Sequence, residues 1–173
     1  HEERSASYHI LILDHLIELG CLLEIFKKER PCWLIKHIKE MKGWLDSIRL
    51  INGNFPSFND SAKDSCPSLD TTIAFANSFL TKNPENLNGV RGFLLSTAFN
   101  KELTFPAKTK LAIKEEASLT DLPKTGWAIL RPGYGWELTF KCGVACPPHL
   151  AAHAHSDLLS FDLYNLGEEV IAE

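Results

Sequence analysis

The hydrophobic rhythm of this chain changes once, near residue 100, and that change bounds the folds open to it. Ahead of it, apolar residues recur at helical spacing; behind it, short runs alternate with period two between turns. From Tyr8 to about Lys28 the pattern is apolar nearly all round (Ile10, Leu11, Ile12, Leu13, Leu16, Ile17, Leu19, Leu22, Leu23, Ile25, Phe26), which predicts a helix buried among other helices. Ser5 or Ser7 is placed to cap its start. Pro31 suits the first position of a second helix, which runs to about Leu50 with Leu34, Ile38, Met41, Leu45 and Ile48 as one stripe and Gly53 as its stop. Ser68 reads as the cap of a third helix, with Leu69, Ile73, Ala76, Phe79 and Leu80 inward. Val90, Leu94, Leu95 and Phe99 predict a fourth. Beyond residue 100 come GWAILR, a turn at RPGYG, then WELTFKCG, a histidine run and EEVIAE. No helix separates these strands, so the sheet should be antiparallel. The expected organisation is a helical part over 1–100, a polar linker or irregular stretch over 101–125, and an antiparallel sheet over 126–173, an α+β chain.

The totals exclude some classes. In 173 residues, 45% are hydrophobic and 23% charged, as in ordinary globular proteins. A net charge of −4 leaves no electrostatic footprint for nucleic acid. No uninterrupted apolar stretch reads as long enough to span a bilayer, and the opening HEERSASYH is too charged for a signal peptide. With no initiator Met and an end at EEVIAE inside a strand, the sequence reads as a piece of a longer protein. Five cysteines are not the even, dense set of a small disulfide scaffold. Cys21 and Cys32 read as buried thiols, and Cys66, Cys142 and Cys146 fall in loops or strand ends.

Three places can carry chemistry. The first is 149-HLAAHAHSDLLSFDLY-164. On one unbroken strand, His153, His155 and Asp157 would share a face. The metal reading adds an oxygen ligand from the next strand, where Glu173 lies eighteen residues past His155, across a turn at Asn165-Leu166-Gly167. Against it stands a solvated or backbone-bonded pair of histidines at a sheet edge. A competing zinc reading takes Cys142, Cys146, His149 and His153 as a structural knuckle, with Pro147 and Pro148 stiffening its middle. The second place is Tyr8, near His9 and Arg4; a phenol there serves as packing or as a proton donor and acceptor. His15, two turns on, reads as a satisfied core or edge histidine. The third is GNFPSFNDSAKDS, where Asn59, Asp60, Ser61 and Asp64 either line a cleft or cation site or act as turn formers and helix caps bonding local backbone.

Taken together, ERSASYH, GNFPSFNDS and AAHAHSDLLSFDLYNLGEEVIAE resemble, in order, three segments of the heparinase II/III family of polysaccharide lyases, which includes related alginate and oligoalginate lyases. The resemblance implies the end of an (α/α) toroid followed by the start of an antiparallel β-sandwich, with the active site between them. It implies β-elimination on a uronic-acid-containing glycan of the heparin, heparan sulfate or alginate kind, an acidic polysaccharide or oligosaccharide being the partner. Tyr8 matches the catalytic tyrosine that acts as acid and in some cases base, and His153 the histidine that abstracts a proton or neutralises charge. His155 matches a ligand of a structural zinc ion, and Glu173 stands where the family has an aspartate ligand, one methylene shorter. The resemblance also implies a periplasmic or secreted setting. Two other readings stand beside it: a non-catalytic glycan-binding homologue, and the structural zinc module on Cys142, Cys146, His149 and His153.

Overall fold

The computed structural model describes residues 5–59, 61–85, 87, 89–104, 113, 115–144 and 158–171. Among them the chain forms four α-helices, one short 3-10 helix and a five-stranded antiparallel sheet, an α+β fold. It divides into two compact units. One draws on the stretches His1–His9, Ser47–Cys66 and Lys110–Glu173, the other on Ile10–Asp46 and Pro67–Thr109.

The helices are α1 (Ala6–Ile25), α2 (Cys32–Ile48), α3 (Leu69–Thr81) and α4 (Val90–Phe99). The all-round apolar pattern of α1 predicts burial on every face, but the structure buries a single stripe. Ile10, Leu13, Ile17 and Cys21 are fully covered, while Ile12, Leu19 and Leu22 are 46, 40 and 42% exposed. By length and composition alone α1 passes as a membrane span, a test that the core helix of a soluble protein also passes. Its surroundings are those of a packed helix. Asp14, nearly buried, receives two hydrogen bonds from the Arg91 guanidinium of α4, Nε to Oδ1 at 2.8 Å and Nη2 to Oδ2 at 2.7 Å. Gly20 lies flat against the Phe79 ring of α3, where a Cβ would collide with it.

Residue chemistry sets the other helix ends. The Ser68 hydroxyl accepts the Thr71 N–H at 3.2 Å and so caps α3. Ser68→Ala should cost about 1 kcal/mol of stability, read as a lower urea midpoint with an unchanged slope. Pro31 stands just outside α2, its carbonyl accepting the Leu34 N–H at 3.0 Å. Cys32, the first residue of α2, is exposed rather than buried. Leu34, Ile38, Leu45 and Ile48 form the buried stripe that their spacing predicts.

The strands are β1 (Ser118–Leu122), β2 (Trp127–Gly133), β3 (Trp136–Lys141), β4 (Phe161–Asn165) and β5 (Glu168–Ile171), in sheet order β1-β2-β3-β4-β5. β1 lies in the stretch read as linker; SLTDL is mostly exposed and offers no apolar alternation. β2 runs on through the segment read as a turn. Pro132 is accommodated because the β2–β3 register slips between Leu130 and Gly133. The turn itself is only Tyr134-Gly135, with φ of 52° and 80°, and β4 and β5 are joined in the same way at Leu166-Gly167, φ 51° and 85°. Positive φ at both central positions matches the twist of paired strands.

The two faces of the sheet differ. One buries Trp127, Ile129, Glu137, Thr139, Lys141, Asp162 and Tyr164. The other carries a register-aligned row with one residue per strand, Leu119, Leu130, Leu138, Leu163 and Ile171. Within this unit the segment 47–66 covers the polar face. Phe58 meets Trp127 edge-on at 5.4 Å, and the Ile51 N–H donates to Glu137 Oε2 at 2.8 Å. Arg131 Nε donates to Glu137 Oε1 at 2.9 Å and its Nη2 to the Arg49 carbonyl at 3.0 Å. At the β4–β5 hairpin, Asn52 Nδ2 donates to the Gly167 carbonyl at 2.6 Å.

Candidate functional site

The start of α1 is fastened by a serine cluster. Ser5, Ser7 and Ser61 are all buried. Ser5 Oγ lies 3.0 Å from Ser7 Oγ and 3.2 Å from Ser61 Oγ. Ser61 Oγ accepts the Ala6 N–H at 2.8 Å, and Ser5 Oγ accepts the Tyr8 N–H at 3.5 Å. Helix-start N–H groups have no partner within the helix, and two of them are met here by hydroxyls, one from a loop fifty-five residues away. Tyr8 stands half-buried in that first turn.

The loop is fastened in turn to the sheet. Asn59 is buried in the left-handed region, φ 56°, a conformation asparagine tolerates better than most residues. Its Oδ1 accepts from the fully buried Lys141 Nζ at 2.6 Å, and the same ammonium donates to the Thr125 carbonyl at 3.3 Å. Asn59 and Ser61 thus each bond a partner far along the chain, Ser61 by capping a helix-start N–H. Asp64 sits exposed in the 3-10 helix Lys63–Ser65, and Asp60 lies outside the described residues.

Lys141 is also where the histidine-bearing connection leaves and rejoins the sheet. The Lys141 N–H donates to the Ser160 carbonyl at 2.9 Å, and the Leu159 N–H donates to the Lys141 carbonyl at 2.8 Å. Beyond Lys141, the Cys142 and Gly143 N–H groups both donate to the Gly126 carbonyl, at 2.7 and 3.1 Å. Leu159 has φ 68° and β4 begins only at Phe161. The apolar run that follows the histidines is thus a turn at Leu158-Leu159 before it becomes a strand. His149, His153, His155, Asp157, Cys146, Arg4 and Glu173 all lie outside the described residues.

The three tyrosines, Tyr8, Tyr134 and Tyr164, differ sharply. Tyr164 is buried and its hydroxyl donates to Asp162 Oδ2 at 3.2 Å. Burial first, then the Asp162 charge, pushes its phenol well above the ordinary value. Tyr134 stands on a hairpin tip, 73% exposed. Tyr8 alone combines partial exposure with a fixed backbone. His15 is exposed on α1, an edge histidine rather than a core one.

Among the described residues no group of three or more His, Cys, Asp or Glu side chains is placed to hold a metal ion. Of the knuckle residues only Cys142 is described, and it is exposed. The described thiols differ in exposure. Burial, reinforced by Glu18 and Glu24, pushes the Cys21 thiol up to about 12, and burial also raises Cys66. The thiolate is the nucleophile. Iodoacetamide near neutral pH should therefore alkylate Cys32 and Cys142 in the native protein while Cys21 stays unmodified until denaturant is added. Peptide mass spectrometry reads this directly, and early labelling of Cys21 would contradict its burial.

Lys141 went unnoticed in the sequence. The available signal was WELTFK, where Glu137, Thr139 and Lys141 share one strand face; nothing local says that this face is covered. Residues 114–173, the stretch holding all five strands, match the family model described as Heparinase II/III-like, C-terminal. No curated protein and no solved structure matches the chain.

Proposed function

We propose, on the premise that the chain belongs to the heparinase II/III family through residues 114–173, that it forms part of a polysaccharide lyase cleaving uronic-acid-containing glycans by β-elimination. Tyr8 is the acid, and in part the base, and His153 is the base or charge neutraliser. One observation carries the pairing. The loop that fastens the Tyr8 helix start through Ser61 is held through Asn59 by Lys141, the residue at which both described ends of the histidine connection meet the sheet. The C5 proton of a uronate is weakly acidic beside its carboxylate, so groups that offset the carboxylate charge lower the barrier. A base then takes the C5 proton and an acid protonates the departing O4. A neutral phenol suits the second task, and an imidazole of ordinary pKa near 6.5 suits the first.

The toroid and sandwich belong to the same proposal. Further helices would cover Ile12, Leu19 and Leu22 on α1, and a second sheet would cover the leucine row. A structural zinc ion held by His155 and Glu173 is proposed from the family resemblance alone; its chemistry would be to fix the fold around the imidazoles. The test is to incubate the protein with heparin, heparan sulfate, alginate and hyaluronan and follow the ultraviolet absorbance of the unsaturated uronate that elimination creates. Binding to one of these without a rise in absorbance would replace the lyase with a glycan-binding homologue.

A further inference from the structure

We infer that Ser61, set by the Lys141–Asn59 hydrogen bond, is a positioning residue that holds the Tyr8 phenol in its reactive place; the inference rests on the lyase reading for what the phenol does. No covalent link fixes the first turn of α1 relative to the sheet. The Ser61 hydroxyl supplies a non-covalent one, taking the Ala6 N–H at 2.8 Å and pairing with Ser5 Oγ, which accepts the Tyr8 N–H. Two residues earlier, the buried Asn59 amide oxygen receives the buried Lys141 ammonium at 2.6 Å. A cation fully inside the protein is expensive to bury and is held only where its donors find acceptors. The ammonium therefore fixes Asn59 firmly, and Ser61 lies only two positions further along the chain. The helix start is thus indexed to the end of β3 by two hydrogen bonds in series. All of these groups lie within one compact unit. Small displacements of a reacting group cost disproportionately in rate, roughly 100-fold for about 1 Å, so a fastening of this kind is worth more to turnover than to binding.

The experiment uses the whole chain labelled with 3-fluorotyrosine, which gives one fluorine resonance for each of Tyr8, Tyr134 and Tyr164, assigned by single Tyr→Phe changes. Ser61→Ala should shift or broaden the Tyr8 resonance and leave those of Tyr134 and Tyr164 in place. Turnover on the cleaved glycan should fall roughly 10- to 100-fold with KM unchanged, and Ser61→Thr, which keeps the hydroxyl, should restore both. Asn59→Gly removes the Lys141 acceptor while tolerating φ 56°; it should move the same resonance in the same direction. The inference falls if the Tyr8 resonance is unmoved in both variants, or moves only together with the other two. If the unaltered protein cleaves none of the glycans, the lyase reading falls by itself, and the Tyr8 resonance still decides whether Ser61 holds the phenol.

Discussion

Tyr8→Phe should abolish glycan cleavage while leaving the fold intact. The substitution removes one oxygen from a half-buried ring in the first turn of α1, and the Ser5 and Ser61 hydroxyls that hold this turn through its backbone N–H groups stay in place. Loss of a positioned general acid or base costs about 10²- to 10⁴-fold in rate. The loss should appear in kcat, with the thermal midpoint close to that of the parent. Tyr164→Phe is the control: its hydroxyl is buried and engaged by buried Asp162. That change should lower stability and spare turnover. Full activity in Tyr8→Phe would remove the phenol from the mechanism whatever else the protein does.

Glu137→Ala should be the most damaging single change to the sheet. Glu137 is 1% exposed and accepts from both the Arg131 guanidinium and the Ile51 N–H. Deleting it leaves the half-buried Arg131 guanidinium without its charged partner, with Thr120 Oγ1 and the Arg49 carbonyl as its remaining acceptors, and the Ile51 N–H without its acceptor. Removing the acceptor of a charged donor and of a backbone N–H costs about 1–3 kcal/mol, a large share of the stability of an ordinary domain. Urea unfolding followed by far-ultraviolet dichroism measures it. A loss under about 1 kcal/mol would mean that water reaches the guanidinium and that the segment 47–66 is only loosely seated.

The helices were legible because local signals agreed with the packing. Ser68 caps α3 where its residue type says it should, and the Leu34–Ile38–Leu45–Ile48 stripe is the buried one. The antiparallel order followed from strands in succession with no helix between them. What local pattern could not reveal is which face of a strand turns inward. In β3 and β4 the usual rule is inverted. Glu137, Thr139, Lys141, Asp162 and Tyr164 are covered, and Trp136, Leu138, Phe140, Phe161 and Leu163 are left half-exposed or exposed. The polar set is covered because distant partners satisfy it: Arg131 and the Ile51 N–H for Glu137, Asn59 for Lys141. Those partners lie six to eighty-six positions away, beyond the reach of any periodicity. For the same reason Tyr8 stands in the sequence as one of several candidates until the resemblance gives it a role, and its serine fastening, fifty-five residues away, leaves no local signal. β1 was missed because an exposed edge strand needs no apolar residues to pair.

The inverted sheet has a consequence for how the protein can vary. Alternate positions along β3 and β4 answer to different constraints, one set to hydrogen-bond partners of fixed shape and the other to bulk alone. Exchanges among Leu, Ile, Val and Phe along Leu119, Leu130, Leu138, Leu163 and Ile171 should therefore drift freely between relatives. The intervening Glu137, Thr139, Lys141 and Asp162 should stay put, so each strand interleaves a changeable string of residues with an immovable one.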